Sequence, residues 1–107
     1  MADYLLTFSY TPETLRAWMD DPIDRTPLIA DAVGRLGGEL KGFWLGSGAQ
    51  DGYLLLSADE PVTAAALAVL DVAGGFVSSM KATPLLSVDE MRAALGKAHA
   101  VLTNSTE

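Results

Sequence analysis

Tyr4-Leu5-Leu6-Thr7-Phe8-Ser9-Tyr10-Thr11-Pro12-Glu13 carries the first decision about the fold. Tyr4, Leu6, Phe8 and Tyr10 alternate with Leu5, Thr7 and Ser9, the period of two that sends successive side chains to opposite faces of a strand. Thr11 then offers a capping hydroxyl, and Pro12 suits the first helical position, where a missing N–H removes no helical hydrogen bond. The reading is a strand ending at Tyr10 and a short helical turn through Leu15 and Trp18. Asp20-Asp21-Pro22 and Asp24 interrupt that turn.

Outward from this stretch the same signals recur. Thr26-Pro27 starts a second helix whose Leu28, Ile29, Ala32, Val33 and Leu36 fall at helical spacing until Gly37-Gly38 ends it. Leu40 to Leu45 and Tyr53 to Leu56 form two apolar runs joined by the turn-rich segment from Gly46 to Gly52, which predicts a hairpin. Pro61 opens an alanine-rich helix through Ala73, closed by Gly74-Gly75. Phe76 to Thr83 reads as a fourth strand before Pro84. Ser87-x-x-Glu90 is a capping-box pattern, and Met91, Ala94, Leu95 and Ala98 make an apolar stripe on a last helix. One domain over residues 1–100 and a frayed tail over 101–107 are expected.

Strand, helix, strand, strand, helix, strand with an added C-terminal helix is the ferredoxin-like α+β plan. Right-handed crossovers place both main helices on one face of an antiparallel sheet. On this reading strands one and four lie at the sheet edges, and the second face is uncovered. Strands apolar on both sides leave a wet hydrophobic wall, and each ~100 Å² of it forgoes about 2.5 kcal/mol. Pairing two sheets face to face relieves this, so the expected assembly is a dimeric α/β barrel, or a larger assembly of the same chain.

Composition narrows the function classes. The chain has 107 residues, enough for one core, and half of them are apolar. Its 14 acidic and 7 basic residues give a formal charge of -7, and the cations are scattered. Neutralising phosphates needs clustered cations, so nucleic acid is not an expected partner. No cysteine is present, which removes disulfides, thiolate metal sites and cysteine nucleophiles. The first residues lead straight into a strand pattern, no apolar run approaches the ~20 residues that span a bilayer, and the expected location is the cytoplasm with no membrane partner.

Several side chains are candidates for chemistry. Asp51 ends the glycine-rich connection, where a carboxylate serves either as a general base at a cavity mouth or as a partner for its own turn backbone. Arg25 precedes a helix start, a poor place for a cation, which implies either a salt bridge with Asp20, Asp21 or Asp24 or a clamp on a substrate carboxylate. Lys81 shares one side of the fourth strand with Ser79 and Thr83; it is either a buried cation facing a dimer interior or an edge charge that blocks aggregation. Phe43, Trp44, Tyr53 and Phe76 supply large rings for packing or for the wall of a flat ligand's pocket. His99 is the single histidine, so no multi-histidine metal site exists and no metal or cofactor is expected.

Taken in order, Tyr4, Thr11-Pro12, Arg25, Gly37-Gly38, Gly48-x-x-Asp51, Pro61 with Ala64, Ala65 and Ala66, and Thr83 with Leu86 resemble the GYD domain family over nearly the whole chain. Gln50 stands where the family's signature carries its tyrosine, with Tyr53 nearby. The resemblance implies a dimeric α/β barrel whose larger relatives include cofactor-independent monooxygenases, lactone isomerases, polyketide cyclases and haem-handling enzymes. The expectation is a protein that binds a small aromatic or polyketide-like molecule in a cavity against the sheet. Its rival is a non-catalytic oligomerising module with no pocket.

Overall fold

The computed structural model describes residues 1–105. The chain runs β1 (Ala2–Tyr10), α1 (Pro12–Asp20), α2 (Thr26–Arg35), β2 (Gly38–Leu45), β3 (Gly52–Ala58), α3 (Pro61–Ala73), β4 (Val77–Leu85) and α4 (Val88–Ser105). All strand pairs are antiparallel and the sheet order is β2-β3-β1-β4. This is the ferredoxin-like α+β fold that the sequence predicts.

The order corrects one expectation. β1 is not an edge strand but lies between β3 and β4, and the edges are β2 and β4. The physical reason is the length of its alternating run: β1 satisfies backbone groups on both sides, opposite Ala58 to Gly52 on one and Leu85 to Val77 on the other. Thr7 and Lys81 are therefore direct cross-strand neighbours within one chain, as are Ser9 and Ser79.

Alternation along β1 sets the core. Tyr4, Leu6 and Phe8 point toward the helices, where Leu54, Leu56 and Ala58 of β3, Val33 of α2, Ala64 and Leu67 of α3, and Val77 of β4 bury with them. Leu6 and Leu56 are wholly enclosed. Burying a side chain of this size stabilises the fold by roughly 1.5–3 kcal/mol. A register shift between Leu40 and Gly42 in β2 lets both Leu40 and Phe43 pack against that core.

The caps are legible in atomic detail. Thr11 Oγ1 accepts from Thr14 N–H at 3.2 Å, and Ser87 and Glu90 form the reciprocal capping box, each bond 3.0 Å long. Gly37 ends the segment after α2 at φ 93°, in the left-handed region that glycine adopts without strain. Beyond its capping box α4 departs from expectation. It continues through Ser105 instead of fraying at residue 101, because Val101-Leu102-Thr103 holds neither glycine nor proline to stop it; Thr106 and Glu107, the rest of the expected tail, lie outside the described residues. Every α4 residue from Val88 to Asn104 is exposed, so the helix does not cover the sheet.

Leu6→Ala removes a wholly enclosed side chain and is expected to cost about 3 kcal/mol, read as a lower urea midpoint at unchanged m-value. Met19→Ala, at a position 80% exposed, is expected to stay within about 0.5 kcal/mol of the parent chain.

Candidate functional site

Between the helix-side face of the sheet and α1, α2 and α3 lies a cleft of about 350 Å³, almost wholly apolar in its lining. β1 supplies Phe8 and Tyr10, α1 supplies Thr14 and Trp18, and Phe43, Leu67, Phe76 and Met80 close the remaining walls. The volume is that of a pocket for a small organic molecule.

Aromatic contacts run through the cleft as a ladder. Phe43 stacks on Phe8 with centroids 6.2 Å apart and planes 3° from parallel, and Phe8 meets Tyr10 edge-on at 5.3 Å. Tyr10 packs on Trp18 at 4.5 Å, and the Arg25 guanidinium sits 4.9 Å from the Trp18 ring centre. Edge-on and offset ring pairs each add about 0.5–1.5 kcal/mol beyond area burial, and a cation over tryptophan adds a comparable amount. Gly52 makes room for the ladder, since a Cβ there would come within 2.5 Å of the Phe8 ring.

Besides Thr14, the groups of Tyr10, Asp71 and Arg25 interrupt the apolar lining. The Tyr10 hydroxyl oxygen is buried without a hydrogen-bond partner, an arrangement that costs about 1–3 kcal/mol. Burial, then the charges of Asp51 and Asp71, push its phenol pKa well above the ordinary value. Asp71, at the end of α3, has its carboxyl pushed up from 3.8 to about 6 by desolvation. Arg25 stands at the start of α2, donating to Asp21 O at 3.0 Å and Ile23 O at 3.2 Å.

Thr11 braces the site. Its hydroxyl donates to Gly75 O at 2.9 Å and its N–H donates to Phe76 O at 3.4 Å, which ties the start of α1 to the segment after α3.

The sequence candidates separate onto two faces. Arg25, Phe43 and Phe76 line the cleft. Trp44 and Tyr53, which are cross-strand partners, and Lys81, the partner of Thr7, lie on the sheet face opposite to the buried Leu54, Leu56 and Phe8. Asp51 is a strand clamp: its Oδ2 accepts from Tyr10 N–H at 3.0 Å, which is a neighbouring strand and not its own turn. Arg25 makes no ion pair with Asp20, Asp21 or Asp24, because the chain leaving α1 turns its carbonyls toward the guanidinium; Asp24 instead accepts from Thr26 N–H at 2.9 Å. Lys81 is exposed on the edge strand.

Tyr10, Trp18 and Asp71 were not legible as site residues, although signals for them exist. Asp71 is the lone charge in the otherwise apolar helix from Pro61 to Ala73. Tyr10 is the last inward position of the β1 alternation, where the strand leaves the shelter of the core. His99 is exposed on α4, and among the described residues no group of three or more histidines, cysteines or acids is placed to hold a metal ion. No helix among the described residues is long and apolar enough to cross a membrane.

Sheet order and helix placement define a ferredoxin-like α+β domain with an aromatic cleft on its helix side. Residues 4–95 match the GYD domain family, and the chain belongs to that family. Among curated proteins none matches the sequence significantly. Among solved structures the chain is similar to an uncharacterized NIPSNAP domain protein from Burkholderia xenovorans, at 14% identity and a TM-score of 0.48, over 82% of this chain and 95% of that one.

Asp71 also predicts a pH dependence. Its folded-state pKa of about 6 lies above the ordinary 3.8, so the native chain holds the proton more tightly than the unfolded chain. The stability this contributes is complete below pH 3.8 and is lost as pH rises through about 6. Asp71→Asn is expected to flatten this component of the urea midpoint measured from pH 3.5 to pH ~7. An unchanged slope would place Asp71 in water.

Proposed function

We propose that this GYD domain binds a small, flat organic molecule in the helix-side cleft. The carrying observation is the aromatic-walled, apolar cleft of about 350 Å³, with Tyr10, whose buried hydroxyl has no partner, and Asp71 in its lining. An acceptor oxygen on a ligand would satisfy that hydroxyl, its ring system would lie against Phe8, Phe43 and Trp18, and an anionic substituent would meet Arg25. Aromatic acids and polyketide-like phenols have this combination of groups.

Asp71 supports a catalytic form of the same reading. A carboxylate titrating near pH 6 in an apolar setting is suited to take a proton from the carbon beside a carbonyl and to return it elsewhere. Tyr10 would stabilise the enolate oxygen formed in that step. Isomerisation or cyclisation without a cofactor fits these groups.

The assembly belongs to this reading too. Leu5, Leu55, Trp44, Tyr53 and Leu85 lie on the sheet face that no helix covers, and Trp44 is 54% exposed. Two copies pairing these faces would bury them.

Thermal-shift measurement against aromatic carboxylic acids and polycyclic phenols tests the binding. A ligand at 100 times its Kd is expected to add about 2.7 kcal/mol of stability. Tyr10→Phe and Arg25→Met are each expected to weaken binding about tenfold, the equivalent of one hydrogen bond to a charged or buried group, whereas Trp44→Phe on the other face leaves it unchanged. Silence across the panel, or equal binding by Tyr10→Phe, would sink the reading. For the assembly, Leu55→Lys is expected to halve the mass seen in sedimentation equilibrium; a parent chain already monomeric at micromolar concentration would remove the sheet pairing.

A further inference from the structure

The walls of the cleft differ in how firmly the fold holds them. β1 is paired on both sides, α2 is anchored through the buried Val33, and α3 through the buried Ala64 and Leu67. α1 buries no residue. All of it is exposed except Thr14 and Trp18, the two side chains that it contributes to the cleft. A segment with so few buried contacts opens at far lower cost than the whole domain unfolds, so α1 is the wall that yields first.

The two ends of α1 are attached in different ways. At its start the Thr11 hydroxyl donates to Gly75 O at 2.9 Å, the Thr11 N–H donates to Phe76 O at 3.4 Å, and the Thr14 hydroxyl reaches the same Gly75 O at 3.5 Å. The far end is held by side chains alone. There the Trp18 ring packs on the Tyr10 ring at 4.5 Å, and the Arg25 guanidinium sits 4.9 Å from the Trp18 ring centre. Arg25 also donates to Asp21 O and Ile23 O, which gathers in the segment that joins α1 to α2. Asp21 to Arg25 belong to neither helix, so changes of backbone angle are absorbed there.

Access requires such a movement. The Tyr10 hydroxyl oxygen is buried, and Trp18 lies against the ring that carries it. A ligand oxygen reaches that hydroxyl only after a wall has moved. We propose that α1 is a gate over the cleft, hinged at Thr11 and Thr14 and latched at its far end by Trp18 and Arg25. This gate rests on the reading of the cleft as a ligand site, yet its motion belongs to the free chain and is measured there.

Native-state hydrogen exchange separates the helices. The α1 amides from Leu15 to Asp20 are expected to exchange through an opening that urea barely accelerates, whereas the slowest amides of β1 and α3 exchange with global unfolding. Leu6→Ala is then expected to speed exchange in α3 and leave α1 unchanged, because the open state keeps the core. Arg25→Met, which removes the latch cation, is expected to speed α1 exchange about fivefold. Because the chain has no cysteine, Asp71→Cys places a single thiol in the cleft lining. Its reaction with the neutral reagent dithiodipyridine is expected to accelerate on adding Arg25→Met by the same factor as α1 exchange. Ala32→Cys, on the α2 wall, repeats the measurement if circular dichroism shows Asp71→Cys unfolded. Lys81→Cys, on the other sheet face, is expected to react at a rate that Arg25→Met does not alter.

α1 amides that exchange as slowly as those of α3, with the same urea dependence, would overturn the gate. Labelling in the cleft that ignores Arg25→Met while α1 exchange rises would overturn it too, since the thiol is then reached by another route. Coupled exchange and labelling together with silence across the panel of aromatic acids would uphold the gate and remove the ligand reading alone.

Discussion

Burial of the inward face of β1 is the constraint on which the rest depends. Tyr4, Leu6 and Phe8 sit in the middle of the sheet, flanked by β3 and β4 and roofed by α2 and α3. A central strand has no free backbone edge, so its register is held from both sides and a one-residue slip would turn three buried side chains into solvent. The helices follow from this, since they cover the one face that these residues make apolar.

The cleft is the place where that packing stops short. Beyond Phe8 the aromatic ladder runs from Phe43 on the sheet to Trp18 on α1 and lines a cleft of about 350 Å³. A polar group left there without water or partner is costly, yet Tyr10 and Asp71 both occupy it. A core selected for stability alone would carry phenylalanine and leucine at such positions.

Much of the architecture was legible because it rests on local chemistry. The β1 alternation, the Thr11-Pro12 and Thr26-Pro27 starts, the Ser87 and Glu90 capping box and the paired glycines each act within a few residues. Of the site, Arg25, Phe43 and Phe76 were legible as candidates that the fold gathers at the cleft, while Tyr53, Trp44 and Lys81 went to the other side of the sheet. Their type pointed to a binding role, but the bulge in β2 settles which rings face the helices. Asp51 shows the same limit: its loop was plain, whereas its partner, the Tyr10 N–H, lies 41 residues away.

By itself the sequence determined the order of elements, their caps, the antiparallel α+β class and the family resemblance, because periodicity and capping are properties of neighbouring residues. Only the tertiary structure decided that β1 is central, that Asp71 and Tyr10 meet the same cleft, and that α4 stands clear of the body. Those outcomes depend on long-range pairing and on desolvation, and desolvation is a property of the space around a group and not of the residues beside it in the chain.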